Sequence, residues 1–214
     1  TLTGMLSLDP ATVGSRGYRE LFQVGEAYDG EPVVDRQHPH DFWMQLSAAW
    51  RTPLSSGTAV TFAGALAGEP ALGPVAFMHR ASAAAIPLAP LGHHTFDSTH
   101  VAFGVATVAL DRGPVTVEAS AFNGREPDQR RWDLDFGRMD SFSGRVWVRP
   151  TKSVELQVSR GRLVEPEQLH EGNVTRTTAS ASYMRGTDTN LLAATLGAGM
   201  NDTGHVRRHA AFAE

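Results

Sequence analysis

The sequence contains no cysteine. Disulfide frameworks, thiolate zinc sites and cysteine nucleophiles are therefore excluded, while cytosol, periplasm and outer membrane all stay open as compartments. Long hydrophobic runs are missing too. The most apolar stretch, Ala83 to Gly92, is interrupted by Pro87 and Pro90 and falls far short of the ~20 residues of a membrane-spanning helix. Positive charge is not in surplus: 19 Lys and Arg against 23 Asp and Glu leave a net charge of −4 with His neutral. A polyanion-binding surface is not expected, and no nucleic-acid partner. The chain opens on Thr1 and shows no charged segment followed by an apolar one. It reads as a mature or trimmed segment from which any targeting signal has been removed.

Helical periodicity is scarce throughout, and what replaces it is alternation with period two. A chain of 214 residues with 41% hydrophobic content is too apolar for disorder and has room for one domain, 1–214. In 153–160, Val154, Leu156 and Val158 share one face of an extended strand, and Glu155, Gln157 and Ser159 share the other. Just before it, Val146 and Val148 oppose Arg145, Trp147 and Arg149, with a tight turn at Pro150-Thr151-Lys152 completing a hairpin. Residues 114–122 set Val115, Val117, Ala119 and Ala121 against Thr116, Glu118 and Ser120; 41–51 set Phe42, Met44, Leu46 and Trp50 against Gln45, Ser47 and Arg51. Less regular segments at 2–8, 57–66, 99–110, 173–185, 189–200 and 206–214 bring the count to about ten strands. Most reach the ~9–11 residues of a tilted membrane strand.

The connections alternate in length. Residues 9–40, 67–98 and 123–140 are long excursions and 164–172 an intermediate one, whereas Thr52 to Ser56, Asp111 to Gly113, Pro150 to Lys152 and Gly186 to Asp188 are short. Tight turns at one end of an antiparallel sheet and elaborate loops at the other are the pattern of an outer-membrane barrel. The fold expected is therefore all-β: an antiparallel up-and-down transmembrane β-barrel with long outer loops and outer-membrane lipid as a partner. A soluble β-sandwich or lipocalin-like barrel shows the same alternation, because period two does not say which face points inward. Connections of about 32 residues are unusual in a compact soluble domain and ordinary at a barrel's outer rim.

Six of the nine histidines lie in or beside the two longest loops: His38, His40, His79, His93, His94 and His100. In Asp35-Arg36-Gln37-His38-Pro39-His40-Asp41 two imidazoles stand at i and i+2 of a segment kept extended by Pro39, so they point to one side and can share an ion. Asp35 and Asp41 are placed to orient the rings. The run from His93 to His100 adds an imidazole pair, the carboxylate of Asp97 and a third imidazole. Imidazole and carboxylate without thiolate suit Cu(II), Zn or Ni. The metal candidates are thus His38, His40, His79, His93, His94, Asp97 and His100, with Cu(II) or Zn as cofactor. The opposing reading is that these rings bond to Asp35, Asp41, Asp97, Arg36 and Arg80 only to stiffen long loops. In the third loop Arg125, Arg130 and Arg131 alternate with Glu126, Asp128, Asp133 and Asp135, which predicts a loop folded over itself by ion pairs or an anion or sugar site at the mouth.

No nucleophile elbow, zincin helix, phosphate loop or dinucleotide fingerprint is present. A rim hydrolase in which His38, His40 or His100 activates water beside Asp35, Asp41 or Asp97 is the enzymatic alternative.

The runs Met5 to Gly14, Asp35 to Asp41, Gly68 to Pro74 with Phe77-Met78-His79-Arg80, Gly92-His93-His94 with Asp97 to His100, and Phe122 to Asp128 resemble those of a largely uncharacterised family of bacterial outer-membrane β-barrels. Genes of that family often lie near copper or other heavy-metal efflux and oxidation systems. The resemblance covers Met5 to about Tyr183 and implies an outer-membrane location, with metal handling by association alone. Members are longer at both ends, which makes this chain resemble the core of a larger barrel; no catalytic residues carry over. The expected function is a non-enzymatic, porin-like barrel that binds or passes a transition metal, copper favoured, through its outer loops. Arg145, Arg149, Glu118, Glu155 and Gln157 would line a wet lumen.

Overall fold

A computed structural model describes residues 1–86, 88–187 and 190–214. Pro87 of the apolar stretch, and Asp188 and Thr189 at the last expected tight turn, lie outside the described residues. Twelve strands are present among those described: β1 (Leu2–Leu6), β2 (Tyr18–Tyr28), β3 (Glu31–Gln37), β4 (Trp43–Ser55), β5 (Thr58–Gly68), β6 (Ala102–Arg112), β7 (Val115–Phe122), β8 (Ser141–Thr151), β9 (Val154–Leu163), β10 (Val174–Thr187), β11 (Asn190–Asp202) and β12 (Arg207–Ala213). Ten of them form one antiparallel sheet in the order β1-β4-β5-β6-β7-β8-β9-β10-β11-β12. Every segment expected to be a strand is in it. Several strands run further than expected, so the turns contract, Lys152-Ser153 replacing Pro150 to Lys152.

The all-β antiparallel meander is as expected, but the sheet is not closed: among the described residues no ladder joins β1 to β12. The long excursion 9–40 is not irregular either. It holds a short helix, α1 (Asp9–Thr12), and a separate hairpin of β2 and β3 that turns at Asp29-Gly30, with φ of 51° and 77°. Two consecutive left-handed residues suit the twist of a two-residue hairpin turn.

The segment 69–101, between β5 and β6, lies across one face of the sheet. Ser120 of β7 and Ser159 of β9 accept the amides of Ala71 and Gly73 (both 2.8 Å), and the Arg145 guanidinium of β8 donates to the Gly73 carbonyl (3.1 Å). Ser82 donates to Thr195 of β11 (2.7 Å). Gly73 has φ of 86°, and a side chain there would collide with the Phe96 carbonyl, so only glycine permits the crossing. We call the covered face the inner face.

Each strand then divides by parity. On the inner face, Ser120, Gln157, Ser159, Arg176, Thr178, Thr195 and Asn201 are buried and hydrogen-bonded. Glu118 accepts from both Arg145 and Trp147 at 2.7 Å, and Arg149 donates to Glu155 at 2.7 Å. On the outer face Phe62, Val108, Leu110, Val117, Val146, Leu156, Val158 and Leu196 are exposed, Val158 by 57% and Leu196 by 62%. The expected common face of Met44, Leu46 and Trp50 is corrected: Met44 is buried, whereas Leu46 and Trp50 are exposed. The ladder between β1 and β4 shifts register at Met5/Leu6, where Met44 is the extra residue on β4, and an irregularity of that kind breaks the alternation. Two apolar clusters fix the inner segment, one of Leu72, Ala102, Val105, Phe122 and Leu163 and one of Met44, Ala67, Val101 and Phe103.

Candidate metal centre

His38 and His40 follow β3. His93 and His94 open the second short helix, α2 (His93–Phe96), and His100 ends a 3₁₀ turn just before β6. The placement of α2 comes from the wall of the sheet. Arg176 of β10 and Asn201 of β11 both donate to the His94 carbonyl (2.7 and 3.0 Å), and Gly199 of β11 leaves room for the Thr95 carbonyl.

The five rings close into a cycle. Centroid separations are 5.9 Å from His38 to His40, 5.4 Å to His100, 5.2 Å to His93, 5.1 Å to His94 and 5.9 Å back to His38. Phe77, itself buried, packs against His40, His93 and His100. His38 and His40, on either side of Pro39, thus lie next to one another in the cycle.

Each ring is held at Nδ1. His93 bonds Asp97 (2.5 Å), His40 bonds Asp9 (3.0 Å), His94 pairs with Glu126 (3.3 Å), His100 bonds the Asp97 carbonyl (2.9 Å) and His38 the Pro39 carbonyl (3.2 Å). Nε2 of His40, His93, His94 and His100 is buried with no hydrogen-bond partner; that of His38 faces Glu26 at 3.2 Å. An unpaired buried polar atom costs about 1–3 kcal/mol. Rings recruited only to stiffen a loop give no reason for four neighbouring rings each to keep such an atom. Carboxylate or carbonyl on one nitrogen and nothing on the other is the arrangement of a metal-binding histidine. One ligand nitrogen from each of His38, His93 and His94 lies within 4.8 Å of the other two. For any such triangle some point is no more than about 2.8 Å from all three, and the rings would have to close in to reach the ~2.0–2.1 Å of an imidazole–metal bond.

The electrostatics favour neutral rings. Burial pushes His38 and His100 well below the usual imidazole range, and pushes His93 down against the pull of Asp97. His94 differs: burial presses it down, but the hydrogen bond and charge of Glu126 and the charge of Glu26 raise it overall. Asp97 is itself buried, which raises its pKa, yet His93 and Arg80 outweigh that and keep it low. Arg80 bridges Asp97 (2.8 Å) and Glu214 (2.6 Å). Arg131 bridges Asp41 (3.3 Å) and Glu26, whose carboxyl burial pushes up to about 8 against the Arg131 charge.

Of the metal candidates, the fold brings together His38, His40, His93, His94 and His100. Asp97 sits behind the cycle, holding His93 and Arg80, and His79 is exposed outside it. Asp35 and Asp41 do not orient the rings: Asp35 accepts the Phe22 amide (2.8 Å) and Asp41 the Arg131 guanidinium. Asp9, Glu26 and Glu126 take that role, and sequence spacing misses them because they lie 31, 12 and 32 residues from the rings they touch. The third loop is likewise not folded only on itself. Arg130 pairs locally with Asp128 and Arg125 with Asp140, but Arg125 also reaches Glu165, Arg131 reaches Glu26, and Glu126 reaches His94. No family model, curated protein or solved structure matches this chain.

Proposed function

We propose that this chain is an outer-membrane β-barrel, or the larger part of one, that binds or passes a transition-metal ion at the histidine cycle and performs no catalysis. The observation that carries the metal reading is the set of four buried Nε2 atoms without partners, each on a ring whose Nδ1 is already held. All-imidazole donors without thiolate suit Cu(II) or Zn, and copper stands above zinc in the affinity order for such sites.

The membrane reading is supported by the inversion of the sheet, with hydrogen-bonded polar side chains inside and unpartnered Val, Leu and Phe outside. Each Leu or Val moved from water into hydrocarbon contributes roughly 1.5–3 kcal/mol. A soluble sandwich or lipocalin would bury those residues. Exposed charges on the same outer parity, Arg160 and Arg162 of β9, stand on the long-loop side of Leu156 and Val158, where a lipid belt would give way to headgroups.

Titrating detergent-solubilised protein with Cu(II) or Zn tests the site. The expected result is one tight equivalent, weakened at least 100-fold in a His93→Ala/His94→Ala variant; equal affinity in the two proteins overturns the metal reading. One observation favours the hydrolase as second reading, the His93–Asp97 pair with its free Nε2. Turnover of an ester substrate, lost in Asp97→Asn, would select it.

A further inference from the structure

A second cavity borders the histidine cycle, and its donor chemistry differs. It measures about 360 Å³, lies against the edge strand β1, and is lined by Met5, Met44, Glu69, His79 and His100 among others. His100 belongs to both: it is a member of the cycle, is buried, and has an Nε2 with no partner. Met5 on β1, Met44 on β4 and Met78 beside His79 pack on one cluster, so three of the chain's six methionines meet here. His79, the histidine that the cycle leaves out, lines this cavity together with Val75. The same two residues line a larger cavity of about 580 Å³ that reaches the short turns at Gly113 and Lys152. His79 therefore stands between the turn end of the sheet and the methionine cavity, and His100 between the methionine cavity and the cycle.

We infer that this cavity is a soft-metal site for a monovalent cation of the Cu(I) class, bound by the Met5 and Met44 thioethers with His79 and His100. Thioether sulfur selects Cu(I) over the harder divalent ions, which prefer imidazole or carboxylate. Methionine is also a flexible filler of core gaps, and Met44 does pack on Ala67, Val101 and Phe103. Filling alone does not account for two methionines and two histidines around open volume, one of the imidazoles carrying a buried unpaired nitrogen. Met5, Met44 and His79 are donors of this site alone, whereas the one free nitrogen of His100 is shared with the cycle, and there the inference rests on the proposed metal centre.

The test uses Ag(I), a redox-inert stand-in for Cu(I), and Co(II) as a probe of the cycle, on detergent-solubilised protein with ¹³C-methyl methionine. Ag(I) is expected to shift the methyl signals of Met5 and Met44, and Co(II) at one equivalent is not. The Met5→Leu/Met44→Leu variant keeps volume and is expected to bind Ag(I) at least tenfold more weakly with Co(II) affinity unchanged. Methionine signals unmoved by Ag(I) in the native protein, or Ag(I) affinity unaltered in the double variant, overturn the inference. A His93→Ala/His94→Ala variant that loses Co(II) but keeps the methionine shifts supports both sites. A native protein that binds no Co(II) yet shows those shifts removes the cycle and leaves this site standing.

Discussion

The two faces of β9 are two residues' worth of chemistry in one strand. Outward, Leu156 and Val158 touch no partner layer and are exposed; inward, Gln157 and Ser159 are buried and bonded to Thr178 and to the inner segment. The same division recurs from β7 to β11, whereas on β5 and β6 the buried inward positions are apolar: Ala59, Ala67, Phe103, Val105 and Ala109. In a water-soluble fold the apolar side would supply the cohesion. Here the inward side supplies it, through hydrogen bonds and ion pairs together with the two apolar clusters that hold residues 69–101, and the outward apolar side chains are left to their surroundings.

The sharpest way to break that contrast is to remove a charge from the clamped side. Arg80→Met would strand Asp97 and Glu214, and stranding a buried partner costs about 3–5 kcal/mol. Denaturant unfolding in micelles should show a loss of that size; a loss under 1 kcal/mol would mean that the inner segment is held by packing instead. Next in size is the outer side: Val158→Arg should destabilise the protein in lipid vesicles by about 2–4 kcal/mol if that position lies at mid-bilayer. Unchanged stability in vesicles would place it in water. Smaller again, Asp97→Asn should weaken Cu(II) or Zn binding by about 10–100-fold without abolishing it, since Asp97 holds His93 and is not itself in the cycle.

The last effect is a pH dependence. Burial pushes Glu69 up to about 7 from 4.5, against the attraction of Arg145, so the folded chain holds this proton more tightly than the unfolded chain. Its contribution to stability is full below about pH 4.5 and is lost as pH rises through about 7. Glu69→Gln should flatten the unfolding curve across that window, and a native curve that rises there instead would contradict the assignment.

Much of this was legible in the chain. Alternation located all ten strands of the sheet, because a strand with two unlike environments must alternate. It could not say that Gln157 and not Leu156 points inward; that came from what the inner segment bonds to. The hairpin of β2 and β3 was hidden in an excursion read only by its length, although Asp29-Gly30 is a turn signal of the kind that marks two-residue hairpins. The gathering of five histidines followed from their clustering along the chain. Asp97, four residues from His93, was legible too, but the other carboxylates that aim the rings were not, since Asp9, Glu26 and Glu126 are joined to them by folding and by no local spacing. The methionine cavity gave no pattern at all: Met5, Met44 and Met78 lie on three separate elements.

Residues 69–101 are tethered at both ends, to β5 and to β6, which are hydrogen-bonded neighbours. A free terminal domain can be pulled away whole, whereas this inner segment is a stitched loop whose two stems share a ladder. Under the proposed function, an ion held at the histidine cycle would be handed on by rotation of side chains or by local shifts of short pieces such as α2, because the segment that carries three of the five rings cannot be withdrawn whole.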